Sequence, residues 1–253
     1  LLMGPDSKPR KVLSLARGKD QMYWIRQKGG VDYRVNSQHI LSLMERKDKW
    51  VDGKKHGAYK VYTEVSVEDA ISRWTPTHMS RYVQGFKIPV DWAEQDVTIP
   101  PYLLGLWLGD GSAGAIQFQI TTADSEVLDY MREYAQGINF VDGKHTIAGA
   151  VRTQGKPGNK AVTACIGFGV RGKRTEQYKM KTPAGQLRAL GIYEKKSIPL
   201  CYKANSEQVR LELLAGMIDS DGYYFNTVFE VSNTNETLIR DVKFLADSLG
   251  YRT

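Results

Sequence analysis

The sequence predicts an α+β chain in two parts, an all-β region followed by a pseudo-twofold domain of mixed helices and strands. Three observations predict this. Residues 8–43 fall into short strand-like runs punctuated by glycine, helical and strand patterns alternate from Tyr102 onward, and this second region repeats itself at an offset of 111 residues.

In order, "KVLSLA", "MYWIRQ", "DYRVNS" and "HILSL", set between Gly18, Gly29 and Gly30, read as strands. The polar "ERKDKWVDGKKHG" reads as a loop. "YKVYTEVSV" reads as a strand, and "SVEDAISRW" as a short helix opened by Ser66, with Asp69 completing a weak capping box. "FKIPVDW" is an extended piece, and a connector holding Pro100 and Pro101 closes the region. The predicted domains are residues 1–97 and 98–253.

In the second region "LLGLWLGDG" at 103–111 matches "LAGMIDSDG" at 214–222. The match runs on without gaps: Phe118 with Phe229, Ile120 with Val231, Asp124 with Asn235, Met131 with Val242 and Ala135 with Ala246. Each copy reads as a helix ending in Asp-Gly, a strand ("AIQFQIT"; "TVFEVSN"), a cap and an amphipathic helix ("SEVLDYMREYA"; "ETLIRDVKFLADSLG"). Between the copies lie two strands, "KHTIAGAVRT" and "KAVTACIGFGV", around the hairpin-like "QGKPGN", then the helix "PAGQLRALG" and the stretch "EKKSIPLCYK".

The 35 Lys and Arg exceed the 28 Asp and Glu by seven, and the whole excess sits between Val141 and Lys181, where nine basic residues face two acids. That concentration favours a polyanionic partner. No run of about 18 apolar residues exists to span a membrane, and the N-terminus lacks the pattern of a secretory signal, so the expected location is intracellular, cytoplasmic or nuclear. Two cysteines, Cys165 and Cys201, exclude a four-cysteine zinc site and a disulfide framework.

The chemistry concentrates at the ends of the two motif helices. Gly105, Ala215 and Gly216 let two helices pack closely, which would bring Asp110 and Asp221 together at two helix C-termini. That end of a helix is negative and disfavours an acid by up to about 1 kcal/mol. A hard divalent cation with oxygen ligands, Mg2+ above all, supplies the balance.

These two motifs resemble the paired signature of the LAGLIDADG homing endonucleases in their monomeric, duplicated form. The second copy departs from the nine-letter pattern only at Met217 and Ser220, while the first carries Leu104, Trp107, Leu108 and Gly109. The resemblance implies an αββαββα fold, two saddle-shaped sheets along double-stranded DNA, and cleavage of both strands. It assigns metal binding to Asp110 and Asp221, and not to Leu108 or Asp219. The "KKSIP" stretch is similar to a Lys-x-Ile-Pro segment of intein-borne members and makes Lys196 the lysine near the metal. Arg152, Lys160, Arg171, Lys173 and Arg174 are then expected on the DNA backbone, and Gln117, Gln119 and Asn226 on base edges. The last strands of the second repeat, and a second active-site lysine, have no counterpart in the sequence.

The first region has its own resemblance. "LMGPDSKPRKV", "RGKDQMY" and "RVNSQHILSL" are similar to early segments of intein splicing domains of the vacuolar ATPase kind, which have the all-β Hint fold. His39 falls on the histidine of the Thr-x-x-His block, with Asn36 in place of Thr. The resemblance gives that histidine the task of assisting the acyl shift at the N-terminal splice junction, which suits an imidazole. The chain begins at Leu1 and ends at Thr253, without the terminal splicing blocks. It is therefore expected to splice only as part of a longer intein or with a separate intein fragment, with host-protein exteins as partners. Two alternatives are a non-cleaving nucleic-acid binder, maturase-like or decayed, and a splicing-only intein with an inactive endonuclease insert.

Overall fold

Turn chemistry decides where the N-terminal strands reverse. Asp52 (φ 48°) and Gly53 (φ 72°) both occupy the left-handed region, as a two-residue type I′ hairpin requires. They join β5 (Ile40–Val51) to β6 (Lys54–Ser66), with earlier short pairs β1 (Leu2–Met3) with β2 (Pro9–Arg10) and β3 (Met22–Ile25) with β4 (Tyr33–Asn36), and β7 (Val83–Gln84) on the far edge of β5. The structure, a computed structural model, describes residues 2–4, 6–28, 30–85, 87–142, 145–156, 158–168 and 180–253. It divides into two compact units, Leu1–Pro89 with Gly250–Thr253, and Val90–Leu249. The whole is mixed α+β.

In the first unit, Ser66 caps α1 (Val67–Arg73) by accepting from the Asp69 N–H at 3.0 Å while its hydroxyl donates to the Asp69 carboxylate at 2.7 Å. Thr75 and Pro76 open a second helix, α2 (Pro76–Tyr82), which sequence reasoning left out although a capping Thr followed by Pro is a start signal. A small core gathers Val35, Leu41, Leu43, Val65, Val67, Ala70 and Trp74. Beside it the buried Glu45 carboxylate is matched by Arg73 at 3.2 Å, His78 at 3.3 Å and Lys47 at 3.6 Å.

Two sequence expectations are corrected here. "KVLSLA" forms no strand: residues 11–21 carry no regular structure, and Leu13 and Leu15 are 90% and 89% exposed. A strand needs a partner for its N–H and C=O groups, and no described residue pairs with this run. The predicted loop "ERKDKWVDGKKHG" is the outer part of the β5–β6 hairpin. Its charged residues mask the alternation, whereas the Asp-Gly turn that reverses it was visible.

The second unit is built on α3 (Pro101–Asp110), β8 (Phe118–Thr122), α4 (Ser125–Gly137), β9 (Asn139–Asp142), β10 (His145–Gln154), β11 (Val162–Phe168), α5 (Pro183–Ala189), α6 (Leu200–Lys203), α7 (Glu207–Asp221), β12 (Gly222–Phe225), β13 (Val228–Val231) and α8 (Glu236–Ser248). An antiparallel sheet in the order β8-β11-β10-β9 turns Phe118, Ile120, Ala164 and Ile166 into a core shared with Leu103, Leu106, Trp107, Met131, Leu213, Met217, Leu238 and Leu245. The duplication shows in the helices and in β8 and β13. Among the described residues, however, β13 pairs only with β12.

Residues 90–95 belong to this unit. The Val90 N–H donates to the Ser248 carbonyl at 2.8 Å, and Gln95 and the buried Asn205 exchange bonds of 2.9 Å. Arg210, fully buried, donates to the carbonyls of Asn205 (2.9 Å), Ser248 (2.7 Å) and Val90, and stacks its guanidinium 4.8 Å from the Trp92 ring. The planar fork of arginine satisfies several carbonyls at once, which makes its burial tolerable. These ties set the division at Pro89/Val90, ahead of the proline connector from which the sequence-based boundary was drawn.

Candidate active site and nucleic-acid surface

The two motif helices meet through their glycines. A Cβ added to Gly105 would strike the Leu213 carbonyl oxygen and lie 2.9 Å from Gly216 Cα, and one added to Gly216 would strike the Tyr102 carbonyl oxygen. One turn on, a Cβ at Gly109 would collide with Ser220 Oγ and lie 3.2 Å from Asp221 Cβ. The contacts advance together along both helices, so α3 and α7 run in the same direction and end side by side. This accounts for two departures from the motif: Ser220 fits because its opposite number is Gly109, and its hydroxyl donates back to the Gly216 carbonyl at 2.8 Å.

Asp110 and Asp221 close these helices, both partly buried. Burial raises the Asp110 carboxyl above the usual carboxylate range, the Asp221 charge adds to that, and Lys196 opposes it. Lys196 donates to the Leu108 carbonyl at 3.1 Å and the Gly109 carbonyl at 3.0 Å, last-turn acceptors of α3, and its ammonium lies 5.3 Å from the Trp107 ring centre. A cation belongs at that negative helix end. Burial lowers the Lys196 pKa, while Asp110 and Asp221 pull it back up. The three residues therefore share one electrostatic field.

Among the described residues no group of three or more His, Cys, Asp and Glu assembles as a metal cluster. Two carboxylates remain, both oxygen donors, with more negative charge than one lysine offsets. That set fits Mg2+, which is held by one or two carboxylates together with waters and phosphate oxygens.

Two further residues serve this centre, and a third engages Asp219. Asn233 donates to Asp221 Oδ2 at 3.0 Å. Asn235 caps α8 by accepting from the Leu238 N–H at 3.2 Å and donates its amide to the Lys196 carbonyl at 2.7 Å. Tyr102 donates to Asp219 Oδ2 at 2.8 Å, which gives that second acid a partner of its own. The capping role of Asn235 was legible from its match to Asp124. Its bond to Lys196 was not, although it explains why the second copy carries an amide, since Asn both accepts and donates where the ionised Asp124 of the first copy only accepts.

The sheet presents a polar face opposite its core. In register, Gln119 on β8 pairs with Cys165 on β11, which pairs with Arg152 on β10. Gln117 precedes Gln119 by two residues and falls on the same face, as do Thr121 and Thr163, whose hydroxyls lie 3.0 Å apart. Arg152 and Lys160 are exposed, and Asn226 (φ 46°) forms the two-residue turn between β12 and β13 with Thr227 (φ 68°). Arg171, Lys173 and Arg174 lie outside the described residues. In the other unit His39 and Asn36 are linked by a backbone bond, His39 N–H to Asn36 carbonyl at 3.3 Å, and the Asn36 amide donates to Asp20 at 3.0 Å.

No protein family model matches this chain. One curated relative is the replicative DNA helicase DnaB of Mycobacterium intracellulare, 32% identical over 164 residues. The match takes in 64% of this chain and 21% of the relative, about a fifth of the relative's length. No described helix is long and apolar enough to cross a membrane.

Proposed function

We propose that the chain is an intein-borne LAGLIDADG endonuclease, with part of a Hint-type splicing domain in its first unit and a site-specific double-strand DNA endonuclease in its second. The observation that carries the reading is the side-by-side ending of α3 and α7, which puts Asp110, Asp221 and Lys196 in one field. Asp110 and Asp221 hold Mg2+, which when bound polarises a phosphodiester and makes a bound water more acidic. Lys196 offsets charge developing on the phosphoryl oxygens as water bonds to phosphorus and the P–O bond breaks. The polar face through Gln117, Gln119 and Arg152 lies along the duplex, backbone contacts setting register and base edges giving specificity. A match confined to a fifth of a replicative DNA helicase is what an element inserted into a host protein would give. In that splicing domain, whose partners are the host-protein exteins, His39 and Asn36 act at the N-terminal junction.

The test is a linearised plasmid bearing an uninterrupted helicase-gene site. Mg2+-dependent double-strand cleavage is expected, abolished by Asp221→Asn. Cleavage that survives the double change Asp110→Asn, Asp221→Asn overturns the mechanism. A protein that binds the site and cuts under no condition favours the non-cleaving alternative. For the splicing unit, His39→Ala is expected to block cleavage at the N-terminal junction of a reconstituted intein.

A further inference from the structure

Trp107 is the bulkiest residue of the first motif, and the second motif carries Ile218 at the matching place. The indole is fully buried, and its Nε1–H has no hydrogen-bond partner among the described residues. A buried donor left unpaired costs stability, and an aliphatic side chain would avoid that cost. Core filling alone therefore does not call for an indole here.

The ring stands in a column of contacts that ends on Lys196. The Lys196 ammonium lies 5.3 Å from the Trp107 ring centre. The buried Tyr193 ring stacks on Trp107 at 6.1 Å with 5° between the planes, and Arg188 sets its guanidinium 4.1 Å from the Tyr193 ring. The outer members are tied down in turn. Arg188 donates to the carbonyls of Ile116 at 3.3 Å and Ala115 at 3.4 Å, and the Tyr193 hydroxyl donates to the Gln117 carbonyl at 3.3 Å. The Gly114 N–H donates to the Tyr193 carbonyl at 3.0 Å. The indole is thus fixed by its neighbours, whereas a long lysine side chain loses rotamer freedom wherever it is held. The Leu108 and Gly109 carbonyls engage two of the three Lys196 donors. The negative face of an indole attracts the ammonium as well, and Ile218 in the other copy offers no such face.

We propose that Trp107 is the positioning residue of Lys196, its ring face, fixed by Tyr193 and Arg188, holding the ammonium at the end of α3 beside Asp110. The contact follows from the geometry, and its effect on cutting rests on the nuclease reading above. Being fully buried, Trp107 acts through the lysine alone, so its loss falls on the chemical step and not on DNA affinity.

The test replaces Trp107 alone, among the five tryptophans of the full chain, by tryptophan bearing one, two and four ring fluorines. Fluorine drains the negative face while nearly keeping the shape, a change that a space-filling role would not register. With the linearised plasmid and Mg2+, single-turnover cleavage is expected to slow stepwise, about tenfold at four fluorines. Affinity for the same site, measured without divalent cation, should stay constant. Trp107→Phe keeps an aromatic face and is expected to retain most of the rate that Trp107→Leu loses, at similar urea midpoints. Lys196 itself is followed by NMR on the 13C-lysine-labelled chain. Its ε-methylene protons, assigned by their absence in Lys196→Met, are expected upfield under the ring current and should drift back as fluorines are added.

An ε-methylene signal at its ordinary position in the parent, or unmoved across the series, overturns the proposal. So does a cleavage rate indifferent to fluorine in a chain that cuts. A signal that moves in a chain that never cuts DNA supports the seat for Lys196 and sinks the nuclease reading.

Discussion

At Gly105 and Gly216 a single methyl group decides whether the centre can form. Each position faces backbone of the opposite helix, which cannot move aside as a side chain end can. Gly216→Ala is therefore expected to cost about 3 kcal/mol or more, at the upper end of overpacking penalties, read as a lower urea midpoint. Gly109→Ala offers a contrast, because its new methyl meets the Ser220 hydroxymethyl group, and Ser220→Ala alongside it is expected to restore part of the loss. Asp219 is set apart from Asp110 and Asp221 by its partner, since its carboxylate accepts from Tyr102. The sequence showed which residues were small, but not which backbone atoms they had to clear.

At the scale of elements, the start of α8 does two jobs. Asn235 caps the helix and holds the backbone of Lys196, while Asp241, a turn and a half further on, accepts from the Ile198 N–H at 2.8 Å and pairs with Lys203. The Lys-Ser-Ile segment is thus hung on one helix, with few bonds of its own. Asn235→Ala is expected to cost about 1–2 kcal/mol through the lost cap and to slow cleavage with little change in DNA affinity. Asn235→Asp separates the two jobs, since it keeps the capping oxygen and loses the donor. Near-normal stability with slowed single-turnover cleavage is the expected result, and normal cleavage in that variant would show that Lys196 needs no such support. Helix α8 itself was readable from its period and its Asn cap, whereas the hairpin β5–β6 was misread at its outer half because charge broke the alternation.

For the molecule as a whole, the core of the second unit carries an alkaline weakness. Burial pushes the Tyr134 hydroxyl up to about 12 and also raises Tyr130 and Tyr202, so the folded chain keeps these protons after the unfolded chain has begun to lose them near pH 10. Where the folded state binds more protons, stability falls as pH rises, by up to about 1.4 kcal/mol per pH unit for each proton. Stability should thus hold below pH 10 and drop from there towards pH 12, measured by urea unfolding with tyrosinate absorbance followed in parallel. The sequence by itself determined what neighbours in the chain decide: the α+β class, the duplication, the capped helices at Ser66 and Asn235, and the two Asp-Gly helix ends. These depend on periodicity, caps and backbone preference within a few residues. Only the tertiary structure decided which distant groups meet: Lys196 at the carbonyls of Leu108 and Gly109, Asn233 on Asp221, residues 90–95 tied to Asn205, Arg210 and Ser248 rather than to the β region, and a basic hairpin left without a core. Such encounters depend on how helices pack and strands pair across about a hundred residues, and there no local pattern records the partner.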